Sequence, residues 1–370
     1  MLPAASGPAG ILRHMATPAP QADELVGADR VARGRLEAAA SYVVELLRNP
    51  GGEIRIVGGQ LDLGADLVVP GHPDQLVLEP VEALDPGTVW AIDGGSCVVA
   101  DGRAFQVAAF RAARVRFADR GIRAVDAPAL DLQALSGPAL ETAAREALAG
   151  LLGRQPEALP ELKRPVDAFR EWAEWRTVLA TIAEASPGDL VLVDGSLHGG
   201  PLVPGDVVRR AHALAVERGV ALAGVVKAST LYWGRNAPLV TLVKRRGDRE
   251  LGRATWAARI STDPVFGRLY VGDIFVAHLA PTAPYAFRVD VARGDVDAAE
   301  VLGRLAGLAR DPAFVGYPYP LARAHQAARV TGYAVADLRR AFRAALARQG
   351  LSDDDVEVLF QDFHEVLNRS

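Results

Sequence analysis

After residue 88, short apolar runs that end in polar or glycine residues alternate with longer amphipathic segments. The runs TVWAID, DLVLVD and VALAGVV have the length and continuous apolar character of buried strands. Between them, residues 138–185 and 205–218 carry apolar positions at three- and four-residue spacing, which predicts helices with a break near 156–165. Strand, helix, strand, helix, strand in this order predicts an α/β fold with crossover connections in a mixed sheet flanked by helices.

Further strands and helices are expected around this frame. The segments 104–110 and 114–117 predict two strands of an antiparallel meander, because no spacer between them is long enough for a helix. Downstream, the apolar segments PLVTLVK, RLYVGDIFVAHL and YAFRVDV predict strands that extend or cover the sheet. Helical periodicity predicts three C-terminal helices, at 297–309, 320–345 and 353–367.

The N-terminal part differs from this α/β pattern in composition and in the elements it predicts. Its first 24 residues are rich in Pro, Ala and Gly and predict a flexible tail, in which Met15 is an alternative start to Met1. Apolar spacing over 24–47 predicts a helix, and EIRIV and QLVLEP predict the short strands of a small β appendage. The predicted organisation is a tail (1–24), an N-terminal helix with short strands (25–85), an α/β domain with insertions (86–345) and a C-terminal helix (346–370).

Composition narrows the class of protein. Half of the 370 residues are hydrophobic, which excludes global disorder. The net charge of −4 excludes a uniformly basic nucleic-acid coat. Cys97 is the one cysteine, so intrachain disulfides and thiolate zinc clusters are excluded. With no apolar stretch of about 18 residues and no signal-peptide core, we expect no membrane segment and a cytoplasmic location.

Two of the predicted strands end in the same way. VWAIDGGS and VLVDGSL each close an apolar run with Asp, Gly and then Ser, at Asp93 and Asp194. A carboxylate at the end of a buried strand is costly unless a cation or hydrogen-bond donors meet it. Carboxylate oxygens suit Mg²⁺ or Mn²⁺. Asp-Gly is also an ordinary turn dipeptide, but two copies in this frame favour a metal site.

Two divalent ions need more than two aspartates to offset their charge, and the helix between the strands offers Glu171, Glu174 and Glu184. Glu174 shares a helix face with Arg170, although a solvated glutamate is the common alternative. Lys227, which follows VALAGVV, could meet a phosphate oxygen, act covalently with a lowered pKa, or simply extend its ammonium into solvent at a strand end.

A late segment, GYPYPLARAH, holds two tyrosines between prolines and places His325 one turn inside a helix. A neutral imidazole can bind a metal, and its protonated form can protonate a leaving oxygen. A tyrosine such as Tyr317 can orient a phosphate or stack on a base. A purely structural histidine is the alternative.

Taken together, these motifs resemble those of NurA-type nucleases. VWAIDGGS, REWAEWR, LVLVDGSL, GVVKAST and GYPYPLARAH occur in the order seen in that family, over roughly residues 85–345. The resemblance implies an RNase H-like fold and an Mn²⁺-dependent DNA nuclease with 5′ to 3′ exonuclease and single-strand endonuclease activity. It also implies homodimers that dock on the hexameric HerA translocase during DNA end resection in double-strand break repair.

The same resemblance assigns roles to individual residues. It implies a metal site for Mn²⁺ or Mg²⁺, with two ions, whose ligands are Asp93, Glu174, Asp194 and His325. Tyr317 and Lys227 complete the implied catalytic set, with Lys227 near the scissile phosphate. Glu171, one turn from Glu174, stays an alternative for the helix carboxylate.

Candidate DNA contacts come from local basic segments. Arg114 and Arg116 fall on one face of a predicted strand, as a groove that follows a phosphate backbone requires, and Lys244 and Arg245 form a second cluster. A solvated face is the alternative. Two other functions stay open: a non-catalytic binding subunit that regulates a translocase ring, and a phosphotransferase of the actin-like fold.

Overall fold

The computed structural model describes residues 54–56, 67–69, 72–101, 106–135, 137–200, 202–234, 237–261, 271–348, 350–352 and 354. The predicted tail, the helix predicted over 24–47 and nearly all of the helix predicted over 353–367 lie outside these residues. No helix among the described residues combines the length and the apolar character needed to cross a membrane.

The described residues form strands and helices whose bounds are as follows. In chain order the strands are β1 (Ile54–Ile56), β2 (Leu67–Val69), β3 (Leu78–Pro80), β4 (Val89–Asp101), β5 (Gln106–Ala118), β6 (Gly121–Asp126), β7 (Asp131–Leu135), β8 (Leu190–Asp194), β9 (Ala221–Val226), β10 (Leu231–Trp233), β11 (Ala237–Pro238), β12 (Trp256–Ser261), β13 (Gly272–His278) and β14 (Phe287–Ala292). The helices are α1 (Gly137–Leu152), α2 (Pro165–Glu184), α3 (Gly205–Arg218), α4 (Leu239–Glu250), α5 (Ala298–Leu308), α6 (Tyr319–Ala328) and α7 (Gly332–Arg348).

A mixed ten-stranded sheet has, from its β6 edge inward, the strand order β6-β5-β4-β8-β9. β4, β8 and β9 are parallel, and β5 runs antiparallel to both β4 and β6. Counted along the chain, these five strands have the order 3-2-1-4-5, an antiparallel meander followed by parallel strands. The predicted RNase H-like mixed sheet flanked by helices is therefore confirmed. Beyond β9, the antiparallel strands β14, β13, β12 and β3 continue the sheet.

Helices cover both faces of this sheet. Successive side chains of a strand point to opposite faces, and here each face carries apolar side chains that the helices bury. On one face, Ile92 packs in a core with Trp172 of α2 and with residues of α1 and α3. On the other face, Ala91 belongs to a core with Leu321 of α6 and with residues of α5. β4 is thus enclosed between α2 and α6.

The strands of the central meander differ from their predicted bounds. TVWAID does not stop at the glycines: β4 runs through them to Asp101. The two strands predicted over 104–110 and 114–117 are one strand, β5, which pairs with β4 along nearly its whole length. Hydrogen bonds along this long hairpin override the local tendency of Gly94 and Gly95 to end a strand. Near its tip, Val99 and Val107 form a small core of their own.

The prediction of a strand over PLVTLVK was wrong, because this segment begins helix α4. Its apolar residues also fit a helical period, since Leu239, Val243 and Gly247 recur every four residues and are buried on one side. At Gly247 the helix touches the sheet so closely that an added Cβ would lie 2.3 Å from the Trp256 ring. β12, which carries Trp256, was not predicted.

The single helix predicted over 320–345 is two helices, α6 and α7. The chain becomes extended at Arg329, where α6 ends. The Arg111 side chain of β5 donates hydrogen bonds to the carbonyls of Ala328 and Arg329. Carbonyls at the end of a helix have no partner within the helix, and Arg111 supplies one.

The short N-terminal strands are not a separate appendage. β1 and β2 pair with each other, and β1 also pairs with β10, in a four-stranded sheet of order β11-β10-β1-β2. β3 instead joins the edge of the large sheet beside β12. Both sheets therefore use strands from the predicted N-terminal segment and from the α/β domain.

The contact at Gly247 predicts opposite effects for two helical glycines. Gly247→Ala should lower the free energy of unfolding by about 1–3 kcal/mol, because the new methyl group collides with the buried Trp256 ring. Gly150→Ala in α1 should raise it by roughly 0.5–1 kcal/mol, because a Cβ there meets nothing within 4 Å. Urea unfolding of both variants checks this, and a stabilised Gly247→Ala protein would contradict the packing of α4.

Candidate metal centre

Asp93 and Asp194 lie at the same end of the sheet because β4 and β8 are parallel neighbours in register. Ile92 pairs with Val193, so the next residue of each strand is an aspartate. Their side chains are only 7% and 9% exposed. The two Asp-Gly motifs thus place two carboxylates side by side in a poorly hydrated site.

The Glu174 carboxylate reaches this site from α2, across Gly94. The Gly94 N–H donates to Asp93 Oδ1 at 2.7 Å and to Glu174 Oε1 at 2.6 Å, and so links the two carboxylates. A Cβ at Gly94 would lie 2.6 Å from Glu174 Cγ, so only glycine leaves room for this side chain.

An arginine that sequence reasoning did not assign to the site holds Glu174 in place. Arg170 Nη1 donates to both Glu174 oxygens, at 3.0 and 3.1 Å, while its Nη2 donates to Glu171 at 3.2 Å. Glu174 is therefore the helix carboxylate that lies beside Asp93, and Glu171 is the outer partner of Arg170. Their i, i+4 spacing, which places Arg170 and Glu174 on one helix face, indicates this contact.

The opposite face of the sheet contributes His325 from α6. Its Nδ1 lies 2.7 Å from Asp93 Oδ2, while about half of its side chain is exposed. Gly95 permits this approach, because a Cβ there would lie 2.1 Å from the Ala328 carbonyl oxygen. Successive glycines of β4 thus let α2 and α6 approach the strand from opposite faces.

Asp93, Asp194 and His325 together form a geometrically plausible metal site. One ligand atom from each of these residues lies within 4.8 Å of the others. Carboxylate oxygens and an imidazole nitrogen are donors that Mn²⁺ accepts, and carboxylates also suit Mg²⁺. Glu174 lies next to these three residues, because it accepts the same Gly94 N–H that donates to Asp93.

Burial and mutual repulsion make the carboxylates costly to ionise. Burial raises the pKa of Glu174 to about 8, with Asp93 adding to the rise and Arg170 opposing it. Burial also raises the pKa of Asp194 to about 7, with the charge of Asp93 adding and that of Lys227 opposing. A bound cation would relieve this cost, so the residues present fit a divalent metal.

Lys227 and Tyr317 complete the cluster. The Lys227 ammonium contacts the Asp194 carboxylate, lies 3.6 Å from Asp93 Oδ2 and sits 5.3 Å from the centre of the Tyr317 ring. Tyr317 is buried, and burial together with neighbouring Asp194 raises the pKa of its hydroxyl. The structure therefore brings together all six side chains that the sequence singles out, and their individual roles stay predictions.

A buried ion pair that the sequence analysis missed anchors the turn after Asp194. Arg288 donates to both oxygens of Asp290, at 2.7 and 2.8 Å, and each side chain is 2% exposed. Asp290 Oδ2 also accepts the Leu197 N–H at 2.9 Å. Opposite charges two residues apart in the otherwise apolar YAFRVDV strand were the available signal, because they face the same side of the sheet.

The predicted DNA contacts form two separate groups. Arg114 and Arg116 both lie 5.5 Å from the centre of the Trp90 ring, on one strand face as predicted, and Arg114 also pairs with Asp126 and Glu184. On α4, Lys244 is ion-paired with Asp248, whereas Arg245 is exposed. Their role in DNA binding stays a prediction.

Burial of the site predicts how the stability of the metal-free protein depends on pH. A carboxyl whose pKa is raised on folding stabilises the protein at low pH, and this contribution is lost as the pH rises through the folded-state pKa. Glu174→Gln removes one such group, so its stability relative to wild type should increase between pH 5 and pH 8, the latter being the raised pKa of Glu174. The increase should be on the order of 1 kcal/mol or more.

Chemical unfolding in EDTA at several pH values measures this difference. Glu157→Gln, which changes an exposed glutamate, serves as the control and should follow the wild-type profile. A constant difference between Glu174→Gln and wild type across this pH range would contradict the described burial of Glu174.

Comparison with known proteins gives a family match to the part of the chain that holds both aspartates. Solved structures with a similar fold include the NurA nuclease from Sulfolobus solfataricus (16% identity, 88% of this chain and 97% of that chain covered, TM-score 0.49). Ciona intestinalis endonuclease V in complex with DNA (12%, 70% and 92%, 0.36) and the catalytic domain of human endonuclease V (17%, 74% and 92%, 0.35) are also similar. No curated protein matches significantly. Residues 87–245 match the NurA domain family, so the chain carries a NurA domain, as its motifs indicate.

Proposed function

We propose that this protein is a metal-dependent deoxyribonuclease that hydrolyses phosphodiester bonds. The observation that carries the proposal is the convergence of Asp93, Asp194 and His325, whose ligand atoms lie within 4.8 Å of one another. Glu174 supports this set through the shared Gly94 N–H. The NurA domain over residues 87–245, which contains both aspartates and Glu174, supports the same activity.

The resident cofactor in this proposal is Mn²⁺ or Mg²⁺, with two ions. Asp93, Asp194, Glu174 and His325 would hold them. Bound ions of this kind activate a water molecule and stabilise the charge that develops on the attacking and leaving oxygens. The raised pKa values of Glu174 and Asp194 support the proposal, because a site that disfavours bare carboxylates favours a cation beside them.

The remaining side chains position the substrate and move protons. Lys227 offers its ammonium to a phosphate oxygen, and the Tyr317 ring beneath it keeps the ammonium at the site. His325, about half of whose side chain is exposed, has two alternative roles in this proposal: it holds the second ion, or its protonated form gives a proton to the leaving oxygen. Arg170 keeps Glu174 oriented toward Gly94.

The family resemblance suggests the polarity of cleavage, the repair process and the partner that we propose next. We propose 5′ to 3′ exonuclease and single-strand endonuclease activity in DNA end resection for double-strand break repair, in the cytoplasm. The protein would act as a homodimer docked on a HerA-type hexameric translocase. The five motifs and the NurA domain support these proposals. A translocase that feeds the strand to the nuclease also suits a protein of net charge −4, whose own affinity for DNA is limited.

Removal of one aspartate should abolish cleavage without unfolding the protein. Asp93→Asn and Asp194→Asn should each lower the rate of metal-dependent shortening of end-labelled DNA by more than about 100-fold, since even outer partners of metal ligands contribute about 10–100-fold. Asp131→Asn, at an exposed aspartate of β7 that lies away from the candidate DNA contacts, is the control and should cleave like wild type.

The assay compares EDTA, Mg²⁺ and Mn²⁺, with and without a HerA-type translocase. Full activity of either aspartate variant would overturn the assignment of the site. If wild type binds DNA but cleaves it under none of these conditions, the non-catalytic binding subunit becomes the better description.

An exposed pair on α4 is the better candidate for DNA binding than the predicted pair Lys244 and Arg245. Arg245 and Arg249 are exposed and four residues apart, so they project from one side of the helix, and neither has an ion-pair partner among the residues that the structure describes. Lys244, in contrast, is neutralised by Asp248. Two exposed cations on one side of a rigid helix suit a phosphate backbone.

Charge reversal tests this surface. The double variant Arg245→Glu/Arg249→Glu should weaken binding of single-stranded DNA in EDTA several-fold. The slope of log K against log[salt] should become shallower by about 1.4, the value for two lost phosphate contacts on a single strand. Arg145→Glu/Arg310→Glu, which reverses one exposed charge on α1 and one in the loop after α5, should have a smaller effect. Equal effects of the two double variants would indicate non-specific electrostatics instead.

A further inference from the structure

The Lys227 ammonium lies at the oxygens that the proposed metal site uses. It contacts the carboxylate of Asp194 and lies 3.6 Å from Oδ2 of Asp93. Asp93 Oδ2 is also the oxygen that His325 Nδ1 approaches. The ammonium and a divalent ion would therefore compete for the same carboxylates.

The charge balance gives this contact a physical role. Asp93 and Asp194 are adjacent and nearly buried, so their charges repel each other strongly at low local dielectric. Among the described residues, Lys227 is the cationic side chain whose ion pairs join both of them. In the absence of a metal, its positive charge lowers the cost of holding the two carboxylates side by side.

Lys227 can also leave without disturbing the fold. Its side chain is 41% exposed, whereas those of the two aspartates are 7% and 9% exposed. Rotation about its four-carbon stem is enough to move the ammonium toward solvent. The Tyr317 ring gives a second favourable contact, 5.3 Å from the ammonium, that stabilises the bound position.

We propose that Lys227 is a built-in counter-ion that occupies the carboxylate pair in the metal-free protein and withdraws when a divalent cation binds. This inference rests on the proposed metal site. It adds that the Lys227 ammonium and the divalent ion compete for the same two carboxylates. The apparent metal affinity is lowered by the fraction of protein in which the ammonium holds the carboxylates. The displaced ammonium then becomes available to a phosphate oxygen, so metal loading prepares the site for its substrate.

The opposite role makes the opposite prediction. If Lys227 only supports the arrangement of the two aspartates, its removal should disorder them and weaken metal binding. If it competes with the metal, its removal should strengthen metal binding while it destabilises the metal-free protein. The sign of the change in metal affinity therefore separates the two roles.

The experiment is a titration of the full-length protein with MnCl₂ by isothermal calorimetry, without DNA. Lys227→Met keeps most of the aliphatic stem and removes the charge, and it should bind Mn²⁺ about tenfold more tightly than wild type, since an ion pair at this distance is a strong competitor. In EDTA the same variant should unfold at a lower temperature than wild type, and Mn²⁺ should raise its melting temperature by more. Lys227→Arg retains the charge and should bind Mn²⁺ no more tightly than wild type.

Two controls keep the result interpretable. Lys244→Met removes another lysine that is ion-paired with an aspartate, on the surface of α4, and should leave Mn²⁺ affinity unchanged. Lys227→Gln replaces Lys227→Met if the latter does not fold, as judged by circular dichroism.

Each outcome has a definite meaning. Tighter binding by Lys227→Met or Lys227→Gln supports the counter-ion, including the case in which wild type itself binds too weakly to measure. Unchanged or weaker binding by these variants, with binding by wild type, overturns the counter-ion and leaves the metal site intact. Absence of Mn²⁺ binding by wild type and all variants overturns the proposed metal site, and the counter-ion with it.

Discussion

Two aspartates at the end of adjacent parallel strands create the constraint on which the rest of the site depends. Asp93 and Asp194 are held side by side by strand register and are almost inaccessible to water. Such a pair is unfavourable in isolation, and the neighbouring groups supply donors or positive charge: the Gly94 N–H, the His325 ring and the Lys227 ammonium. The site therefore favours positive charge, which is what the proposed metal would supply.

Glycine makes this crowded arrangement possible. Gly94 and Gly95 lie in the middle of a long strand, where glycine ordinarily weakens the structure. Here their missing side chains let the Glu174 carboxylate approach from one face and the end of α6 from the other. The same two residues therefore connect helix packing to the chemistry of the site, since each helix delivers one functional side chain.

Much of the sheet and of the site could be predicted from the sequence, because both depend on local patterns. Apolar runs and crossover lengths predicted a mixed sheet, the family resemblance implied that it is RNase H-like, and strand ends predicted the meeting of Asp93 with Asp194. What failed depended on long-range contacts. PLVTLVK begins a helix that packs against Trp256. The end of α6 is stabilised by hydrogen bonds from Arg111, which is distant in sequence. The spacing of Arg288 and Asp290 is visible in the sequence, but the contact of this pair with the turn after Asp194 follows only from the assembled sheet.

The central claim is that this carboxylate cluster binds a divalent metal. Anomalous diffraction from crystals soaked in MnCl₂, recorded near the manganese absorption edge, tests it most directly. We expect a strong anomalous peak within bonding distance of Asp93 and Asp194, and its absence in crystals of Asp93→Asn. A structure in which the Mn²⁺ peak lies elsewhere, or in which no peak occurs at this end of β4 and β8, would contradict the account.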